Sequence, residues 1–389
     1  MKEELNKIFE SFDNNRIFKD KSIFQSTYRP EEIPHRDEQI KQIASILAPV
    51  LRGEKTSNVF LYGKTGTGKT LSALYVRDEL LKRTKKESNS KLRIEYLNCK
   101  LKKVSDTEYR ILAELIRKLG GSVPNTGLPT ETVYNQFINL VDSEKQSLIL
   151  ILDEIDQTVK KISSDFLYNL TRLNSELSKT QIGIVGISND LTFLEGIDPR
   201  VRSSLSEEEI VFPPYNALQI QEILNNRSKL AFKENVVQEG VIAKCAAFAA
   251  REHGDARRAL DLLRIAGELA ERDGAKKILL KYIDEANIKI EREKILEVVK
   301  TEPKQFQYVL YSIILLSEEN KGEPFFTGDI YNHYQEICLK NKSEVLTQRR
   351  VGDIIQEFDM LGIINVRVIS KGRGGRMREI KLAVAKPII

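Results

Sequence analysis

At 389 residues, 41% hydrophobic and 30% charged, the chain is too long for one ordinary core and too apolar for bulk disorder, so two or three globular domains are expected. Its 61 basic and 56 acidic residues leave a net charge of only +5, so where the bases cluster matters more than their excess. The longest apolar runs, 148–152 and 245–250, fall far short of the ~20 residues of a membrane span, the opening MKEELNKIFE has no apolar export core, and the three cysteines and three histidines lack metal-ligand or disulfide spacing, so membrane, export, zinc and histidine-based functions are set aside and a cytoplasmic protein is expected.

In chain order, the first informative pattern is a short apolar strand from Val59 to Tyr62. It is followed by Gly63-Lys64-Thr65-Gly66-Thr67-Gly68-Lys69-Thr70 and an amphipathic helix over 71–83. That is G-x-x-x-x-G-K-T in full, in the strand–loop–helix setting that phosphate binding requires. The glycines let backbone N–H groups turn inward around phosphate oxygens, and the helix aims its positive end at the same anion. Lys69 is expected to reach the β- and γ-phosphates of ATP, or the β-phosphate of ADP, and the Thr70 hydroxyl to ligate Mg2+.

Strand signals recur at 92–97, 147–152 and 181–188, with helical periodicity at 104–119, 130–141 and 162–177. This alternation predicts a parallel α/β sheet. The run 148–152 is apolar throughout, as a strand covered on both faces must be, and it leads into Asp153-Glu154-Ile155-Asp156. Ligands bind at the carboxyl ends of such strands, so Asp153 is expected beside the metal and Glu154 as the group that activates the attacking water. The strand at 181–188 leads to Asn189, whose amide can both donate and accept near the γ-phosphate. Arg200 and Arg202 precede a last strand beginning at Ile210 and running toward Tyr215, and either is placed to face a neighbouring subunit's nucleotide.

Helical patterns alone follow, at 216–230, 238–251, 256–271 and 283–298. Within them Gly254-Asp255 reads as a turn and N-cap, which puts Arg257 in the first helical turn. A cation there is unfavourable unless an anion offsets it, so Arg257 is a candidate phosphate sensor.

Beyond Pro303 the expected order is helices at 305–317, 327–340 and 347–361, then strands at 363–369 and 376–384. Three helices and a two-stranded ribbon make a winged helix-turn-helix. The third helix opens with Gln348, Arg349 and Arg350, side chains that read base edges or phosphates. The ribbon's glycine-rich tip carries Lys371, Arg373 and Arg376, suited to a minor groove or a phosphate edge.

Together these motifs resemble AAA+ ATPases and, more narrowly, the archaeal origin-recognition/cell-division-control replication initiators, over roughly residues 18–384. The narrower likeness rests on Tyr28-Arg-Pro-Glu-Glu-Ile-Pro-His-Arg36 with Glu38-Gln39, on 198–215, and on 254–260 with the C-terminal region. The resemblance implies an α/β fold: an AAA+ P-loop parallel sheet over 1–215, a helical lid over 216–300 and a winged-helix domain over 301–389. It implies a weak Mg2+-dependent ATPase used as a switch, binding double-stranded origin DNA, with a replicative helicase and further copies or paralogues as partners. It places Tyr28, Pro30 and Arg36 near the adenine, with Tyr215 and Arg227 completing the pocket from the lid side. Related eukaryotic proteins carry a Ser-Arg finger where this chain has Ser203-Ser204, which leaves Arg200 or Arg202 as substitutes. The family's DNA-touching helical insertion falls at 120–132. A clamp-loader-like or regulatory ATPase would share the phosphate loop, but the basic wing and the family-like segments favour the initiator.

Overall fold

The computed structural model describes residues 16–87, 91–100, 107–124, 126–162, 165–191, 193, 197, 199, 202, 205, 207–251, 254–301, 303–320, 323–360, 363–370 and 376–382. The chain forms two compact units, one ending at Leu280 and the other beginning at Lys281.

In the first unit, α1 (Asp37–Leu47) precedes β1 (Asn58–Tyr62), α2 (Lys69–Glu87), β2 (Lys91–Asn98), α3 (Glu108–Lys118) and α4 (Thr130–Val141). Then come β3 (Gln146–Asp153), α5 (Ile155–Lys161), α6 (Asp165–Glu176), β4 (Thr180–Ser188) and β5 (Glu207–Val211). The five strands pair in parallel in the order β2-β3-β4-β1-β5. Every residue of β3 is buried, its central run 148–152 unbroken by any polar side chain and Gln146, Ser147 and Asp153 buried with it. Its alternate side chains feed two cores: Leu148, Leu150 and Leu152 pack with Phe60 and Ile184 on one face, Ile149 and Ile151 with Val59, Leu61 and Val185 on the other. The register sets Asn98 beside Asp153 and Tyr62 beside Ser188, so the carboxyl ends of β2, β3, β4 and β1 open at one rim.

The lid follows as α7 (Ala217–Ala231), α8 (Val241–Arg251) and α9 (Ala256–Arg272). Asn216 opens α7 with a reciprocal capping box, its side chain accepting from Gln219 N and its own N–H donating to the Gln219 side chain. Residues of the N-terminal segment dock on this lid: Phe18 and Phe24 pack against Phe232, and buried Glu271 accepts from the N–H groups of Ile17 and Phe18.

Two sequence expectations are corrected, and one short helix is added. The last strand starts at Glu207 and stops at Val211, rather than running from Ile210 toward Tyr215. As an edge strand paired only with β1 it tolerates three glutamates, and Pro213 and Pro214 offer no N–H to a ladder. The helix expected over 162–177 is α6, and a further short helix, α5, precedes it outside that span. Glu154, in the left-handed conformation at φ 55°, turns the chain into α5 immediately after the strand. The described residues between Gly120 and Pro129 are not helical; helix resumes only at Thr130, so the insertion is not a separate helix there.

The second unit contains α10 (Leu280–Thr301, beginning one residue before it), α11 (Lys304–Glu319), β6 (Phe325–Phe326), α12 (Thr327–Lys340), α13 (Gln348–Met360), β7 (Ile364–Ser370) and β8 (Arg376–Leu382). Its core gathers Val309, Ile313, Ile330, Tyr334, Ile354, Phe358 and Ile380. The sheet order is β6-β8-β7, antiparallel. The two-residue strand β6 adds a third member to the expected ribbon, and a pair of phenylalanines is too short to show alternation in sequence.

Candidate functional site

The phosphate loop leaves the end of β1 and enters α2. Gly63, Gly66 and Gly68 take φ values of 155°, 68° and 92°. Lys69 is 5% exposed, and its ammonium donates to the carbonyls of Gly63 (2.7 Å) and Lys64 (2.8 Å) and to Asn189 Oδ1 (2.9 Å). Burial lowers its pKa from 10.5 to about 8; Asp153 opposes that shift and Arg257 adds to it. Thr67 is buried, with its hydroxyl on Lys64 O at 2.9 Å, whereas Lys64 and Thr65 are exposed.

Asp153 is braced from three directions. Its Oδ2 accepts from the Thr70 hydroxyl at 2.8 Å and from the Tyr96 hydroxyl at 2.9 Å, and its Oδ1 accepts from Glu154 N at 3.0 Å. Burial, then the charge of Asp153, pushes the Tyr96 hydroxyl pKa up, so Tyr96 remains a donor across the working pH range. Glu154 N-caps α5, and its Oε2 lies 3.5 Å from Lys100 Nζ. Among the described residues no trio of acidic, histidine or cysteine side chains forms a metal site by itself. A hydroxyl beside one carboxylate instead suits Mg2+, which takes few protein ligands when phosphates supply others. The donor-rich loop, the buried ammonium and the start of α2 likewise fit a nucleotide's phosphates.

Just before α1, Arg36 is 2% exposed and donates to Thr67 O (2.8 Å) and Pro213 O (2.6 Å), with its guanidinium 3.9 Å from the Tyr215 ring centroid. Burial lowers the Arg36 pKa and raises that of Tyr215. Arg227 donates to Ile23 O at 3.3 Å and lies 4.3 Å over the Tyr28 ring. Two cation–π pairs thus join the residues of the 28–36 segment to Tyr215 and Arg227, and Pro30 is half-buried between Tyr28 and Arg36 in the chain. Asp255 caps α9 through Arg257 N (2.8 Å), so Arg257 lies in the first turn. Arg202 is exposed, and Arg200 lies outside the described residues.

Tyr96 and Asp255 were not singled out as site residues in the sequence. Asp255 was legible as a cap but not as a loop contact. Tyr96 sits two residues before the strand end, a position that only pairing with β3 ties to Asp153.

In the second unit, Gln348, Arg349 and Arg350 are exposed along the first turn of α13. Arg350 lies 3.7 Å from Asp353, an exposed pair worth about 0–1 kcal/mol that competes weakly with a phosphate. The turn before α13 is pinned: Leu346 N donates to the Tyr334 hydroxyl (3.0 Å), and the Tyr331 hydroxyl donates to Leu346 O (3.1 Å). The ribbon joins Ser370 to Arg376, while Lys371 and Arg373 lie outside the described residues. Arg378 donates to Gly352 O at 3.2 Å, bracing the ribbon against α13. No described helix is long and apolar enough to cross a membrane.

Three family profiles match: AAA domain over residues 52–192, Cdc6 AAA+ ATPase-type lid domain over 221–288, and CDC6, C terminal winged helix domain over 297–389. The chain is 50% identical over 385 residues to the ORC1-type DNA replication protein of Thermococcus onnurineus, covering 98% of this chain and 92% of that one. It is 49% identical over 384 residues to ORC1-type DNA replication protein 1 of Methanosarcina mazei, with 98% and 92% covered. Its structure matches that of the Aeropyrum pernix ORC1 protein in complex with DNA at a TM-score of 0.80 and 42% identity, over 96% of this chain and 95% of that one. With its parallel AAA+ sheet, Cdc6-type lid and winged-helix domain, the chain belongs to the ORC1-type DNA replication initiators.

Proposed function

We propose that this initiator binds ATP or ADP with Mg2+ on the β1–α2 loop and grips double-stranded origin DNA through α13 and the wing. The bound nucleotide sets whether a replicative helicase is recruited. The observation that carries this reading is the convergence of Lys69, Asn189, Asp153 and Thr70 at the carboxyl ends of β1, β3 and β4. Residues 63–70 wrap the phosphates, Lys69 neutralises their charge, and Asn189 orients Lys69. Thr70 and Asp153 would hold Mg2+, which would supply positive charge against the negative charge developing on the phosphoryl oxygens. Glu154 takes the proton of the attacking water, while Arg257 reads the phosphates from the lid and Arg200 or Arg202 those of a neighbouring copy or paralogue. Tyr28, Pro30, Arg36, Tyr215 and Arg227 line the base side. The domain limits 1–215, 216–300 and 301–389 belong to the same proposal.

Turnover should be slow, because the resemblance to the replication initiators implies a switch rather than a motor. For DNA the support is the exposed basic turn of α13 and the DNA complex of the Aeropyrum pernix relative. ATP affinity and single-turnover hydrolysis of Lys69→Ala and Glu154→Gln test the switch. The first should lose binding, and the second should bind but not hydrolyse. Unchanged hydrolysis in both overturns the assignment.

A further inference from the structure

The first turn of the lid helix α9 touches the phosphate loop directly. Asp255 uses Oδ1 to cap the helix, and its Oδ2 accepts from the Thr65 hydroxyl at 3.2 Å. Beside it, Ala256 N–H donates to Gly66 O at 3.3 Å. Gly66 is left-handed at φ 68°, and a Cβ there would sit 1.7 Å from Asp255 Oδ1. Position 66 is one of the unspecified positions in G-x-x-x-x-G-K-T, so the motif does not by itself demand glycine there, whereas the lid carboxylate leaves no room for anything larger. On the other side, Gly254 is also at φ 68°, and a Cβ on it would lie 2.4 Å from Tyr215 O. Residues 254–256 are therefore wedged between Tyr215 and the loop.

We propose that Thr65 and Asp255 form a latch between lid and phosphate loop that sets how long a nucleotide stays bound. The proposal rests on the reading of the loop as the nucleotide site. Thr65 is exposed, and its hydroxyl meets the lid rather than the buried Lys69 ammonium. Both residues are positioning residues: they hold the lid, and with it Arg257, against the loop. A nucleotide wrapped by the loop and read by Arg257 leaves when that seam parts. The hydrogen bond to a carboxylate and the backbone bond beside it both break in parting, so they slow release without any contact to phosphate.

The test is the dissociation rate of fluorescent N-methylanthraniloyl ADP with Mg2+, chased by excess unlabelled ATP. It uses the full chain, Thr65→Val, Asp255→Ser and the double variant. Serine keeps a capping oxygen on α9 but is too short to reach Thr65. Each single variant should release the label about three- to tenfold faster, and the double no faster than the quicker single, because both break one contact. Unchanged rates with normal wild-type binding overturn the latch alone, as does a double effect equal to the product of the singles. A wild-type chain that binds no labelled ADP overturns the nucleotide reading and this role with it. Amide hydrogen exchange over 255–258 in nucleotide-free protein checks the seam separately: Thr65→Val should speed exchange at Ala256, and unchanged exchange overturns the contact.

Discussion

The phosphate loop and the first turn of α13 both carry cations, but in opposite environments. Lys69 is buried, satisfied by three acceptors, and has its pKa drawn down to about 8. Arg349 and Arg350 are exposed, and Asp353, 3.7 Å from Arg350, is equally wet. A buried ammonium gains most from a bound anion, because burial has already stripped its water. An exposed guanidinium gains mainly through released counterions, one contact at a time. The nucleotide site should therefore fail abruptly on single substitutions and respond to pH. The DNA face should fail gradually and respond to salt.

The largest expected break is Lys69→Ala. Removing the charged donor should cost about 2–4 kcal/mol of ATP affinity, roughly 30- to 1000-fold, by isothermal titration calorimetry. A loss of less than threefold would put Lys69 in the same class as the surface arginines. Next, Glu154→Gln should cut single-turnover hydrolysis about 100-fold or more while leaving ATP affinity within a few-fold, as expected for a general base. Third, Arg349→Ala and Arg350→Ala should each weaken duplex binding by about 1 kcal/mol and lower the slope of log affinity against log salt by about one per lost phosphate contact. Anisotropy titrations across a salt series read both, and an abrupt loss from one arginine would erase the contrast between the regions.

A smaller effect sharpens the comparison through pH. The Lys69 pKa in the folded chain lies below its ordinary 10.5. Between about 8 and 10.5 the unfolded chain thus holds more protons than the folded one, so this group's contribution to stability rises with pH across that window. Phosphate should draw the proton back. Above about pH 8, ATP binding should take up a proton, seen as a binding enthalpy that varies with the buffer's ionisation heat, and affinity should fall as pH rises. Lys69→Arg should abolish both trends, since arginine does not titrate there. Smallest is Tyr96→Phe, which frees one bond on Asp153 Oδ2. It should raise the Mg2+ concentration needed for half-maximal ATP binding by a few-fold, with protein stability changed by only about 1 kcal/mol.

The parts of this protein legible in its sequence were those set by short-range physics. The loop 63–70 carries its own glycines and charge, and β3 announces its two-sided burial by an unbroken apolar run ending in Asp153 and Glu154. The turn and cap at Gly254–Asp255 and the three helices with a basic ribbon follow from local signals that need no distant partner. The edge strand β5 was misplaced because glutamates 207–209 look like solvent, and only pairing with β1 makes them a strand. The two-residue β6 was invisible because two phenylalanines are too short to show alternation.

What tertiary structure alone decided is which side chains meet across long separations. Tyr96 reaches Asp153, Arg36 stacks on Tyr215, Arg227 covers Tyr28, and Asp255 presses on Gly66. Each contact joins residues far apart in sequence, through strand register or a docked lid. Periodicity and motif report the environment of one residue and its near neighbours; they hold no information about which distant carbonyl, ring or carboxylate the fold will bring within 4 Å.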